Sequence, residues 1–159
     1  MKFKKHVLFI ITLLVIIFSC YVHYLKSKVD FSCTGEYRSE IIFPETKILN
    51  ISNISISVSN NRIIYFSIDG VITHNDTNSH LSREIWFSYE PIHHSTGLFR
   101  IKPIRMNVND TDSVKSQDVN YFILGAESNG RTIRIWKLSD SVILIGNAFS
   151  PIMSCILSR

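Results

Sequence analysis

"NISISVSN", residues 53–60, places Ile54, Ile56 and Val58 on one side of an extended chain and Asn53, Ser55, Ser57 and Ser59 on the other. A period of two carried by β-branched residues is the pattern of a strand with one face buried and one in water. Outward from this stretch the same period recurs. Asn60-Asn61 can turn the chain into "RIIYFSIDG" (62–70), where Ile64, Phe66 and Ile68 alternate. "REIWFSYEP" (83–91) sets Ile85, Phe87 and Tyr89 against Glu84, Trp86, Ser88 and Glu90. "LFRIKPIRMNV" (98–108) opposes Phe99 and Ile101 to Arg100 and Lys102 until Pro103, which has no N–H for a ladder and marks an edge or a bulge. "VNYFILG" (119–125) and "RTIRIWKLS" (131–139) flank Asn129-Gly130, the strongest hairpin signal in the chain. "SVILIGNAF" (141–149) and "PIMSCILS" (151–158) complete the set, with polar connections at 73–80 and 109–118.

About eight or nine strands with turn signals between them predict a mainly β fold, an antiparallel β-barrel or sandwich. No segment after residue 30 has the period of an amphipathic helix, and there is no internal repeat.

Ahead of the strands lies "LFIITLLVIIFSCYVHYL" (8–25). As a helix, residues 7–25 would extend about 28 Å at ~1.5 Å per residue, close to the hydrocarbon thickness of a bilayer. Bulky Ile17 and Phe18 before Ser19-Cys20 disfavour a small-x-small cleavage site, and "YVHYL" continues the apolar run past Cys20. A retained signal-anchor is the preferred reading, with lipidation at Cys20 the alternative. "MKFKKH" places more positive charge before the run than Lys26 and Lys28 place after it, which orients the N-terminus to the cytoplasm. The organisation predicted is a cytoplasmic tail (1–6), a transmembrane helix (7–25), a juxtamembrane linker (26–30) and an exported β domain (31–159), periplasmic in a bacterium.

The net charge of +4 suggests an acidic partner until its distribution is read. Five of the 17 Lys and Arg flank the apolar run, leaving 12 against 13 Asp and Glu in residues 30–159. No stretch clusters Lys and Arg into the stripe that phosphate binding requires, so no direct nucleic-acid contact is expected.

With Cys20 inside the apolar run, Cys33 and Cys155 remain as an even pair at the two ends of the exported domain. An oxidising compartment would let them bond, and closing so long a loop is worth about 4–5 kcal/mol in the loop-entropy account. Two buried free thiols are the other reading.

Val142, Ile143, Leu144 and Ile145 depart from the simple alternation, since both faces of that strand are apolar. A central strand covered on both sides explains this, as does an outer face that meets a partner chain or lines a lipophilic cavity. Among titratable groups, His74, His80, His93 and His94 read as exposed loop histidines. The sharper reading makes His93 and His94 a pH-sensitive element, because histidine charges near pH 6.5. G-x-S-x-G, H-E-x-x-H, C-x-x-C and glycine-rich phosphate loops are absent from the sequence, so neither an enzyme nor a cofactor or metal site is expected.

The basic start "MKFKK", the single anchor, "SCTGEY" just outside it, "LSREIWFSYEP", "YFILG" and "ILIGNAFSPIMSC" resemble the small enterobacterial inner-membrane proteins of the FidL and PsaF/MyfF type. The resemblance implies a role like that of ToxS: binding and stabilising a ToxR-like single-pass regulator with a cytoplasmic winged-helix domain, and so promoting virulence or fimbrial gene expression. In the PsaF/MyfF branch the response is to temperature and acid pH, and ToxS-like barrels are associated with amphiphilic small molecules. The rival expectation is an envelope assembly factor, either a fimbrial biogenesis component or a lipid-binding periplasmic module.

Overall fold

The computed structural model describes residues 11–19, 21, 30–44, 46–93, 96–114 and 130–158. Eight strands, β1 (Phe31–Phe43), β2 (Thr46–Ser59), β3 (Ile63–His74), β4 (Thr77–His93), β5 (Leu98–Val108), β6 (Arg131–Lys137), β7 (Val142–Asn147) and β8 (Pro151–Leu157), form a closed antiparallel barrel in chain order. Of the two architectures left open by the sequence, the barrel is the one formed.

Alternation becomes inside and outside. Register stacks Val58, Ile64 and Phe87 as one interior row, Ile56, Phe66 and Ile85 as the next, and Ile54, Ile68 and Arg83 as a third. Ile64, Ile68 and Ile72 are each 1% exposed. An eight-stranded barrel is narrow enough for side chains to fill it. Phe66 meets Phe87 edge to face at 5.5 Å, as Tyr89 meets Phe99, geometries in which ring edges contact ring faces favourably.

Two local features differ from the sequence expectation, and a third agrees with it. Residues 73–80, expected as a polar connection, are the ends of two strands joined by a tight turn at Asn75-Asp76, whose φ angles are 44° and 67°. Asn and Asp tolerate this left-handed region, and two such residues in succession match the twist of the flanking strands. Strand β1 is not among the segments read from the sequence, because Gly35 and Ser39 interrupt its inward series of Cys33, Tyr37 and Ile41. At Pro103 a bulge is seen: Phe87 pairs with Pro103 and Trp86 with Arg105, so Ile104 is the extra residue. "VNYFILG" (119–125) and Asn129 lie outside the described residues.

Residues 11–19 and 21 are helical, and Ile11, Leu14, Val15 and Phe18 on this helix are exposed. Among the described residues no helix is long and apolar enough to cross a membrane. The remainder of the expected 7–25 span lies outside them.

Candidate functional site

The barrel closes on a thin seam. β1 and β8 pair only through Cys33 with Leu157 and Thr34 with Ile156, supplemented by the Ser158 amide donating to the Ser32 carbonyl at 2.8 Å. A Cβ at Gly35 would collide with the Ser154 carbonyl oxygen, so glycine lets the two strands approach. At this seam Cys33 and Cys155 form a disulfide, with Cα atoms 5.5 Å apart. Of the two readings of these cysteines, bonding holds, and the bond is buried at 1% and 0% exposure.

A second fastening joins β4 to the segment after β5. Arg83 points into the barrel at 2% exposure, and its Nε and Nη2 donate to the Asp112 carboxylate at 2.7 and 3.0 Å. Nη2 also donates to the Val114 carbonyl, and the amides of Ser82 and Val114 donate to Asp112 at 3.0 Å. Burial pushes the Asp112 carboxyl up, but the Arg83 guanidinium and the two amides outweigh it and hold the group below its ordinary 3.8. His80 belongs to the same corner: its Nδ1 is 3.2 Å from the Thr111 carbonyl and its Nε2 is 3.6 Å from Asp69. Nδ1 must therefore carry the proton in that contact.

Beyond the Arg83 row polar side chains enter the interior beside Ile48, Ile72 and Leu81. Ser39 pairs in register with Asn50, and Tyr37 with Ser52. The Ser52 hydroxyl donates to Asn50 Oδ1. Asn50 Nδ2 and Ser39 Oγ are buried without a hydrogen-bond partner among the described residues. An orphaned donor of this kind costs about 1–3 kcal/mol, which a bound polar group would recover.

The residues singled out from the sequence separate in space. Ile143 and Ile145 fill the barrel at 5% and 4% exposure, while Val142 and Leu144 are half-buried on its outer wall. There Leu144 lies between Trp136 and Ser154, and Val142 beside Ile156, which is 65% exposed. His93 ends β4 on the surface and its carbonyl accepts from Thr96 Oγ1, whereas His94 is outside the described residues.

Sequence reasoning missed one arrangement. No linear stretch clusters Lys and Arg, but β5 and β6 are neighbours, paired from Leu98 with Arg134 to Ile101 with Arg131. Together they carry six cations and no carboxylate; Arg100, Lys102, Arg105 and Arg134 lie on the outer face, while Arg131 and Lys137 pair in register with inward-facing Ile101 and Ile143. Arg105 lies over the Trp86 ring at 5.3 Å and Arg134 over Trp136 at 5.2 Å. The signal available in the sequence was two strand-like segments without an acidic residue; their adjacency was not.

Among the described residues no three His, Cys, Asp or Glu side chains gather as a metal site. Comparison with curated proteins returns no match. Residues 70–155, which run from within β3 to the disulfide cysteine of β8, match the family described as "FidL-like putative membrane protein". That match covers more than half of the chain, and the protein therefore belongs to the FidL-like family.

Proposed function

We propose that this protein is a non-catalytic, membrane-anchored accessory factor that binds a ToxR-like single-pass regulator on the exported side and stabilises it. The observation that carries the reading is the joining of an exposed apolar helix to a disulfide-closed barrel, in a chain of a membrane-protein family. In this reading residues 7–25 anchor the barrel with the N-terminus in the cytoplasm. Contact with the partner favours the regulator's folded, active form, because a ligand that binds only the native state stabilises it by mass action. The output is raised transcription of virulence or fimbrial genes. Acid pH or an amphiphile would act through the barrel, the latter by offering a polar group to Asn50 and Ser39.

The test is deletion of the gene with measurement of both the transcript and the surface product of its neighbouring operon, together with co-purification of the full chain with the membrane regulator. Loss of transcript and recovery of the regulator are the expected results. An intact transcript with missing surface product would overturn this reading in favour of an assembly factor.

A further inference from the structure

We propose that the outer wall of β4–β6 is a docking strip for an acidic, extended segment of a partner protein. The inference rests on the accessory reading for the partner's being a protein; the face and its chemistry come from the barrel itself.

The first argument is charge segregation. Residues 30–159 hold 12 Lys and Arg against 13 Asp and Glu, yet four of those cations, Arg100, Lys102, Arg105 and Arg134, share the outer face of β5 and β6, which have no acid of their own; the acids of this wall, Glu84 and Glu90, stand on β4, Glu90 opposite Arg100 in register. Arg100, Lys102 and Arg105 are exposed, and no described carboxylate lies within ion-pair distance of them or of Arg134. Cations gathered on two adjacent strands repel one another and raise the local potential toward an anion, which folding alone does not require.

The second argument is preorganisation. The chain has two tryptophans, both half-buried on this outer wall, and each has an arginine stacked over its ring. Each guanidinium is also tethered through Nε, Arg105 donating to Asn107 Oδ1 at 3.1 Å and Arg134 to the Thr96 carbonyl at 3.0 Å, so the group is held in place and less side-chain entropy is lost when its Nη groups meet a carboxylate. Tryptophan and arginine are also the residues that most often dominate interface energy.

The third argument is shape. From Leu98, opposite Arg134, to Arg105 the strip runs up β5 for about 23 Å at ~3.3 Å per residue. Arg100 and Lys102 are alternate residues, about 7 Å apart on one face, the spacing at which an extended chain presents its own alternate side chains. A flat lipid surface would instead meet cations ringed around one end of the barrel. Trp136, Leu144 and Val142 continue the strip as an apolar shelf for the partner's non-acidic residues.

The test uses the full chain in uncharged detergent micelles, titrated with a deca-glutamate peptide and read by tryptophan fluorescence, since both fluorophores lie on the strip. Saturable binding that weakens with added salt is expected. Arg100→Glu combined with Arg105→Glu should weaken it about tenfold or more, the neutral pair Arg100→Gln with Arg105→Gln less, and Arg38→Glu on β1 not at all. Equal binding by parent and strip variants would overturn the proposal. So would binding to phosphatidylglycerol vesicles, lost in the same variants, by a chain that ignores the peptide. Co-purification with the regulator separates the two readings. A parent chain that binds the peptide but recovers no regulator supports the strip and removes the accessory role. Strip variants that lose the peptide yet keep the regulator remove the strip and preserve the role.

Discussion

β1 to β4 run for 12 to 17 residues and pair along almost their whole length, whereas β6 to β8 run for six or seven, and the β8–β1 seam closes on two register pairs. Their outer walls differ as well. β1 and β2 face water with a ladder of hydroxyls, Ser32 to Ser57 at 3.2 Å and Thr34 to Ser55 at 3.1 Å, while β5 to β8 present cations, tryptophan and aliphatic side chains. The contrast separates two tasks. Long strands supply a continuous hydrogen-bond ladder and Ile/Phe rows, and so hold the fold with an unremarkable surface. Short strands cannot: β8 is fastened to β1 by a disulfide, while the buried ion pair holds the segment after β5 against β4.

The largest expected effect comes from the ion pair. Arg83→Met leaves the Asp112 carboxylate buried and unpaired and should cost about 3–5 kcal/mol in urea unfolding. Adding Asp112→Leu should restore much of that loss, and no recovery would show that the segment is held by something else. Next is the seam: Cys33→Ser with Cys155→Ser should cost about 2–5 kcal/mol. Amide exchange should then rise more in β7 and β8 than in β2 and β3, and a uniform rise would break the comparison between the halves.

Within one short strand the contrast can be sharpened. Ile143→Ala opens a hole in the core and should cost about 2–5 kcal/mol, whereas Leu144→Ala on the wall should cost less than about 1 kcal/mol. Similar values would mean that β7 is covered on both faces.

The smallest effect is acid-dependent. Because the folded Asp112 carboxyl sits below its ordinary 3.8, its contribution to stability is complete above that value and disappears as pH falls through the lower, folded-state value. Urea midpoints measured down to about pH 2 should fall more steeply for the parent than for Asp112→Asn over that interval. Parallel curves would remove Asp112 from the acid response.

How far the sequence could be read depends on which residues are asked. Ile54, Ile56 and Val58, Ile64, Phe66 and Ile68, and Ile143 and Ile145 all point inward as their alternation requires. Cys33 and Cys155 could be named as the even pair, though only closure of the barrel brings their Cα atoms to 5.5 Å. β1 escaped notice because Gly35 and Ser39 take inward positions that an apolar pattern would have filled. The Arg83–Asp112 pair and the β5–β6 cations escaped for a different reason, since their members lie some 30 residues apart in the chain.

The sequence by itself determined the period of each strand, and with it which side chains would be sorted into oil and which into water. That information is local, set by neighbours two residues apart on a pleated backbone. Tertiary structure alone decided that the sheet closes, that a seam of two pairs needs a covalent bond across it, and that two acid-free strands lie side by side. Those outcomes depend on which strands meet and in what register, and register is fixed by the whole barrel rather than by any one segment of it.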